Sequence, residues 1–291
     1  PLDRFLQERQ QRLRDATEAT TRCRQLGDAF RLAHALVAQL VPTMCCIAGC
    51  SYHRDVNAHN ILVDADEGRA DYGLVDFGLA VDATRWMDAS ARNPHGRGEW
   101  EFLDVGGDCR YWPTSAWLQF EAGCQELARD AALCSEYQTH LDLQGLGITA
   151  LQVLMELLPD LGGLAPHAAE LGMSAGCAEA VLQALRHLQV VWAEYWEDAT
   201  RFWSALLDTF RSGGDWNVLK RDFVARSVHG IIAGRLRAVK GAMVAVEQAC
   251  GRASDRAAWA QDARRLLPAL HLLVSCGEPR AGPTAWAEVG R

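Results

Sequence analysis

Several features that direct a protein to a membrane or to nucleic acid are missing from this sequence. No apolar run reaches about 18 residues, the length of a membrane-spanning helix, and no basic segment followed by an apolar one opens the chain as in a signal peptide. Lysine and arginine number 29 against 37 acidic residues, which gives a net charge of −8. This charge argues against nucleic acid and anionic membranes as main partners. We therefore expect no nucleic-acid or membrane partner and a cytoplasmic location.

Metal-binding and redox cysteine motifs are also missing. Ten cysteines are present, but no two form a C-x-x-C pair, so the sequence does not predict a zinc site or a thioredoxin-like site. Cys45, Cys46 and Cys50 fall in an apolar stretch with helical spacing. Because a free cysteine packs as a small hydrophobic residue, we expect these three to be buried, reduced thiols. Reduced cysteines fit a reducing, cytosol-like compartment.

The composition is that of a folded protein. Hydrophobic residues make up 49% and charged residues 23% of the 291 residues, which is typical of globular domains and enough to bury a core. We assign residues 1–276 to one domain, with the motifs in 1–160 and a helical remainder over 161–276, and expect 277–291 to be a flexible tail. Because the first residue is Pro1 and not Met, we expect a fragment or a processed product.

Hydrophobic periodicity predicts a mostly helical fold with one small β-hairpin. Apolar residues recur at helical spacing over 27–50, where Pro42 is expected to bend or interrupt the helix. Residues 61–63 and 72–75 are strand-like and are separated by turn residues, which predicts the hairpin. The predicted fold class is α+β, predominantly α-helical.

Further helices are predicted over the second half of the chain. The segment 141–158 is strongly apolar and stops at Pro159. The remaining predicted helices are residues 179–211, with a tryptophan stripe expected to pack between helices, residues 216–250, and residues 255–273.

Two short motifs carry the chemical information. Residues 53–60 read H-R-D-x-x-x-x-N, and residues 76–78 read D-F-G. Asp55 can accept the proton of an attacking hydroxyl, while Asn60 and Asp76 can bind Mg²⁺, which prefers oxygen ligands. A hairpin between the motifs would let the two metal ligands converge. The pattern indicates phosphoryl transfer, which needs positioning and charge neutralisation more than covalent help.

At these residues the chain resembles the eukaryotic protein kinase family. Residues 142–147 are similar to the start of that family's central buried helix, and residues 2–6 are similar to the helix that follows the hinge between its two lobes. The resemblance covers roughly residues 1–160 with named motifs. It implies the C-terminal lobe of a kinase, with ATP and Mg²⁺ as cofactors. It also implies a protein substrate, with a serine or threonine hydroxyl favoured over a tyrosine.

The resemblance implies roles for the residues of the first motif. Asp55 would be the catalytic base, and Asp142 would tie down the backbone of its loop. Arg54 corresponds to an arginine that often contacts a phosphorylated activation loop, so Thr84 and Ser90 become candidate phosphosites.

A second set of residues would meet the nucleotide. Asn60 and Asp76 would be metal ligands, and Leu62 would form part of the floor under adenine. His53 and Phe77 would stack in the column that links the lobes.

The chain departs from the family in several places. Asn57, a candidate catalytic position, stands where serine/threonine kinases carry a lysine. No G-x-G-x-x-G-x-V or V-A-I-K segment precedes His53, so we expect the N-terminal lobe to be missing and this chain alone to be inactive. Thr114 replaces a family glutamate, and Glu121 is a candidate to make the salt bridge instead. The exposed lobe face would be covered by an N-terminal lobe or another partner protein.

Two alternatives stay open at this point. Small-molecule kinases similar to aminoglycoside phosphotransferases carry a related loop, usually H-G-D or H-x-D, but Arg54, Phe77 and Gly78 favour the protein-kinase side. A catalytically inactive pseudokinase that acts as a binding scaffold would also fit the missing lobe and the neutral Asn57.

Overall fold

The computed structural model describes residues 1–14, 18–66, 69–88, 96–251, 258–277 and 285–290, and the chain is predominantly helical there. The helices are α1 (Leu2–Arg14), α2 (Ala19–Ile47), α3 (Ala83–Met87), α4 (Thr114–Ala122), α5 (Cys124–Leu127), α6 (Ala131–Thr139), α7 (Leu141–Leu157), α8 (Ala175–Ser212), α9 (Trp216–Arg226), α10 (Val228–Cys250), α11 (Ala258–Leu273) and α12 (Trp286–Val289). Short 3-10 turns occupy Phe77–Leu79, Glu99–Glu101, Cys109–Tyr111 and Ala165–His167. The predicted predominance of helix is confirmed.

Two small antiparallel sheets flank the motif-bearing loop. Strand β1 (Ser51–Tyr52) pairs with β4 (Val81–Asp82), and β2 (Ile61–Asp66) pairs with β3 (Arg69–Leu74). The second pair is the predicted hairpin, which is therefore confirmed. Its side chains alternate as a half-buried strand requires: Ile61 is fully buried, whereas the next residue, Leu62, is 46% exposed.

Helix α7 is the centre of the core. All but two of its residues are buried, and it packs against α1, α2 and α11. Two glycines allow this close packing: a Cβ at Gly145 would lie 2.5 Å from the carbonyl oxygen of Val56, and one at Gly147 would lie 2.8 Å from the Cβ of Leu273. The helix ends at Leu157, two residues before Pro159, because the residue before a proline disfavours helical backbone.

Helix α2 differs from its prediction in two respects. It continues through Pro42, so the predicted interruption is wrong; a proline removes one N–H but does not always end a helix. The predicted burial of Cys45, Cys46 and Cys50 is also wrong, because all three are exposed after Met44, the last buried residue of the helix.

The length and composition of α2 would also allow it to cross a membrane, but this is weak evidence because core helices pass the same test. One face of α2 packs against α7 and α11, as expected of a core helix.

The C-terminal helices form a layer beside this core. Helix α8 packs along α10. Of the predicted tryptophan stripe, Trp192 is buried and Trp196 and Trp203 are half-buried, and the rings of Trp192 and Trp196 stack with centroids 5.3 Å apart. The predicted continuous helix over 216–250 is instead two helices, because Ser227 adopts a left-handed conformation with φ = 51°. Instead of a loose tail throughout, the segment 277–291 includes α12, whose Trp286 is buried against the core.

A buried carboxylate joins α4 to the start of α10. Glu121 accepts a hydrogen bond from the backbone N–H of His229 at 2.7 Å, and its Oε2 lies 2.8 Å from His229 Nδ1. The Glu121 side chain is 1% exposed and that of His229 is 32% exposed. Glu121 was the candidate to make a salt bridge in place of the glutamate that Thr114 replaces, and it pairs with His229. Its hydrogen bond to the imidazole raises the pKa of His229.

This ion pair should make stability depend on pH. Because the pKa of His229 is raised above its unfolded value of about 6.5, the charged imidazole stabilises the fold fully below that pH. The contribution is lost as pH rises through the folded-state pKa. We expect the difference in free energy of unfolding between the protein and His229→Gln to shrink between about pH 6 and pH 9 in urea denaturation. The exposed His187→Gln is the control, and a His229 difference that is constant over this range would contradict the prediction.

Candidate functional site

The loop after β1 is held by a buried carboxylate from α7. Asp142 accepts two hydrogen bonds at 2.7 Å, from the backbone N–H groups of His53 to Oδ2 and of Arg54 to Oδ1. Asp142 is 4% exposed, and burial raises the pKa of its carboxyl although both hydrogen bonds oppose this effect. Arg54 has φ = 66°, a left-handed conformation that is uncommon for residues other than glycine. Asp142 therefore ties down the loop backbone, as the resemblance implied.

The carboxylate of Asp55 is oriented by three donors. Asn57 Nδ2 donates to Oδ1 at 2.7 Å, and Asn60 Nδ2 donates to Oδ2 at 2.8 Å. The backbone N–H of Asp108 adds a bond to Oδ1 at 3.1 Å. Asp55 itself is half-buried. Because each carboxylate oxygen offers about two acceptor positions, Asp55 is fixed in direction, and Oδ2, which receives one of these three bonds, keeps a second acceptor position.

Asn57 lies inside the loop. Its residue is 2% exposed, its Nδ2 donates to Asp55, and its Oδ1 accepts from the backbone N–H groups of His59 at 2.8 Å and of Asn60 at 3.3 Å. The side chain therefore shapes the turn between Asp55 and Asn60. It carries no charge to this place, where the family has a lysine.

The hairpin places the two candidate metal ligands at neighbouring backbone positions. The backbone N–H of Val75 donates to the carbonyl of Asn60 at 2.9 Å, which places Asp76 one residue beyond the partner of Asn60. Asp76 is exposed and left-handed, with φ = 62°, and its Oδ1 accepts from the N–H of Gly78 at 3.2 Å. The side-chain N–H of Asn60 donates to Asp55. The amide oxygen of Asn60 is therefore the atom that a cation could bind.

An amide oxygen and a carboxylate are both ligand types that Mg²⁺ accepts. Mg²⁺ is usually held by one or two protein ligands, with phosphate and water completing its six positions. Within the ranges that the structure describes, no group of three or more histidine, cysteine, aspartate or glutamate side chains is placed to hold a metal ion. The described residues thus offer two candidate oxygen ligands and no all-protein metal cage.

Apolar and aromatic side chains surround the loop. His53 and Phe77 pack edge to face with ring centroids 4.6 Å apart, and His53 Nε2 lies 3.0 Å from the carbonyl oxygen of Val75. The predicted contact between His53 and Phe77 is therefore present. Leu62, Phe77 and Leu79 are 40–48% exposed, so the residue predicted to underlie adenine has an open surface available to a ligand.

Arg54 binds backbone carbonyls. Its guanidinium donates to the carbonyl of Asp104 at 2.6 Å and to that of Leu79 at 3.5 Å, and it lies 5.1 Å from the ring centroid of Trp86. Of the candidate phosphosites, Thr84 donates its hydroxyl to Asp82 at 2.6 Å. Ser90 lies outside the described residues. Leu79 and Asp104 lie at the two ends of the segment that follows the D-F-G motif, and Arg54 links them.

The sequence placed Gly107 and Arg110 only in a stretch, 107–113, that is similar to the end of a kinase activation segment, and it gave neither residue a relation to Asp55. Gly107 has φ = 82°, and a Cβ there would lie 2.5 Å from Asp55 Oδ1, so only glycine fits. Arg110 forms a forked ion pair with Asp108, whose backbone binds Asp55. The doublet Gly106-Gly107 was a signal for close backbone approach. Nothing in the sequence pointed to Arg110, because its relation to Asp55 runs across more than 50 residues of chain.

Comparisons with protein-family models, curated proteins and solved structures give no match to this chain.

The two bonds to Asp142 give a testable prediction. In Asp142→Asn the amide nitrogen faces one of the two loop N–H groups, and a buried donor left unsatisfied costs about 1–3 kcal/mol. We expect the free energy of unfolding in urea to fall by about that amount. Amide hydrogen exchange should accelerate at His53 or Arg54. The exposed Asp104→Asn should change stability by less than about 0.5 kcal/mol. Equal effects of both substitutions would contradict the role given to Asp142.

Proposed function

We propose that this chain is the catalytic lobe of a protein-kinase-like phosphotransferase, which transfers the γ-phosphoryl group of ATP to a protein hydroxyl, serine or threonine in preference to tyrosine. The observation that carries the proposal is the orientation of Asp55 by Asn60, together with the backbone pairing of Asn60 with Val75, the residue before Asp76. One carboxylate is thus aimed by an amide whose residue pairs next to the position of a second carboxylate. A base next to two magnesium ligands is what phosphoryl transfer requires.

In this proposal each residue has one role. Asp55 accepts the proton of the substrate hydroxyl at one of its carboxylate oxygens, while the amides of Asn57 and Asn60 hold that carboxylate in place. Asn60 and Asp76 supply oxygen ligands for Mg²⁺, which would neutralise charge on the phosphates of ATP. Leu62 offers an apolar surface for the base of the nucleotide. A cytoplasmic location, where ATP is abundant, belongs to the same proposal.

The partner in this proposal is a protein surface. Leu62, Phe77 and Leu79 are large apolar side chains that are 40–48% exposed near the loop. An N-terminal lobe or a separate partner protein that covers them would close the nucleotide cleft from the other side. Such a cover would also supply positive charge for the transition state, which phosphoryl transfer needs. The lobe alone is therefore proposed to be weakly active or inactive.

A second candidate function is a binding scaffold of pseudokinase type. Asn57 favours it, because this buried, neutral side chain stands where a lysine would neutralise the transferred phosphoryl group. The engagement of Arg54 with the carbonyls of Asp104 and Leu79 also favours it, since those bonds hold the loop without any phosphate.

Nucleotide binding separates the two candidates. We expect Mg-ATP to give measurable heat on this chain in calorimetry at sub-millimolar concentration, and Asp76→Asn to weaken binding at least tenfold by removing a ligand charge. Asp71→Asn is the matched control, because Asp71 is an exposed carboxylate on the same hairpin. No heat at millimolar Mg-ATP would favour the scaffold, and equal affinity of the two variants would contradict the role of Asp76 as a ligand.

Transfer itself is tested by removing the base. In the complete protein, Asp55→Asn should lower phosphorylation of a general protein substrate by about 10² to 10⁴-fold, the usual contribution of a general base. The fold should be retained, since an amide occupies the same volume. Asp64→Asn on strand β2 is the control, because Asp64 is exposed. Radiolabelled phosphate transfer is the measurement, and retained activity in Asp55→Asn would rule out the assignment of the base.

A further inference from the structure

An unusual ion pair lies directly beside Asp55. Arg110 Nε is 3.0 Å from both carboxylate oxygens of Asp108, and Nη2 is 2.5 Å from Oδ2. The side chain of Asp108 is 8% exposed and that of Arg110 is 18% exposed. Forked, charge-assisted bonds of this kind fix direction as well as distance. The two residues are therefore locked to one another at the wall of the site.

The arginine is fixed in turn by helix α8. Its guanidinium lies 5.1 Å from the ring centroid of Trp196, and its backbone carbonyl accepts a hydrogen bond from the hydroxyl of Tyr195 at 2.6 Å. Tyr195 is fully buried. The ion pair is thus anchored to the longest helix of the protein, so Asp108 has a rigid support.

The ion pair reaches Asp55 through one backbone group. The N–H of Asp108 donates to Asp55 Oδ1 at 3.1 Å. Asp108 Oδ1 also accepts from the backbone N–H of Arg110 at 3.0 Å, which holds the turn that follows. Gly107, with φ = 82°, lets the backbone come this close. Neither charged side chain has to touch a substrate to influence the direction of the Asp55 carboxylate.

We propose that Asp108 and Arg110 are positioning residues for Asp55, and that they act through the backbone N–H of Asp108. This inference rests on the proposed function of Asp55 as the base. Arg110 contributes in two ways, because it fixes the turn that presents the N–H and it balances a second carboxylate close to Asp55. A small displacement of a reacting group can reduce a rate about 10²-fold, so the pair affects the chemical step more than nucleotide binding.

The kinetic test separates these two steps in the complete protein. We expect Arg110→Gln and Asp108→Asn to lower kcat about 10 to 100-fold, with the KM for ATP changed less than twofold, because Asn60 and Asp76 lie on the hairpin. Arg110→Lys should recover part of kcat, since it keeps the charge but loses the fork. The control Arg85→Gln breaks an ion pair of 2.6 Å with Glu99 in the same stretch of chain and should leave kcat unchanged. An unchanged kcat in both Arg110→Gln and Asp108→Asn overturns the proposal.

A second measurement does not depend on activity. Hydrogen exchange of the Asp108 amide, followed by nuclear magnetic resonance on this chain, reports its bond to Asp55 directly. We expect exchange in Arg110→Gln to rise at least tenfold, as in Asp55→Ala, with circular dichroism and other core amides unchanged. If Asp108 exchanges at the original rate in folded Arg110→Gln, the positioning role is overturned. If exchange rises but the wild-type protein transfers no phosphate, the proposed function fails while the coupling of Arg110 to Asp55 stands.

Discussion

The structure of the site depends on one buried charge. Asp142 projects from α7, the most buried helix of the protein, and binds two consecutive backbone N–H groups of the loop before Asp55. A carboxylate removed from water requires such donors, and a loop in a left-handed conformation requires such an anchor. The buried carboxylate needs the loop N–H groups, and the loop needs the carboxylate, so the core helix and the loop form one unit. Gly145 permits their close contact, because a Cβ there would lie 2.5 Å from the carbonyl oxygen of Val56.

From this anchor the site is assembled by amides and backbone groups more than by charges. Asn57 and Asn60 divide the two oxygens of Asp55 between them, and the hairpin carries Asn60 to Asp76. Neutral donors orient a carboxylate without forming a strong ion pair with it. Asp55 is therefore held by neutral groups alone among the contacts of the described residues. The only forked ion pair close to Asp55 in the described part of the chain is that of Asp108 with Arg110, one turn away.

Much of the fold was predictable because it follows local periodicity. The central helix, the hairpin and the anchoring role of Asp142 all emerged from pattern and motif. The errors share a physical cause. Periodicity identifies a helix, but it does not show how far the neighbouring elements extend along that helix and cover it. Cys45 and Cys46 therefore lie on an exposed turn, and Ser227 interrupts an otherwise regular pattern. The contact of Asp108 with Asp55 joins residues 53 positions apart, and no local rule foresees it.

The left-handed backbone at Arg54 and Asp76 has an evolutionary consequence. Such a conformation costs a non-glycine residue on the order of 1 kcal/mol or more, and glycine would adopt it freely. Replacement by glycine would thus relax the chain while deleting a guanidinium that braces the following segment, or a carboxylate that accepts from the N–H of Gly78. Substitution by glycine at either position would therefore exchange backbone strain for the loss of a side-chain bond to the following segment, so it offers selection no simple gain in stability.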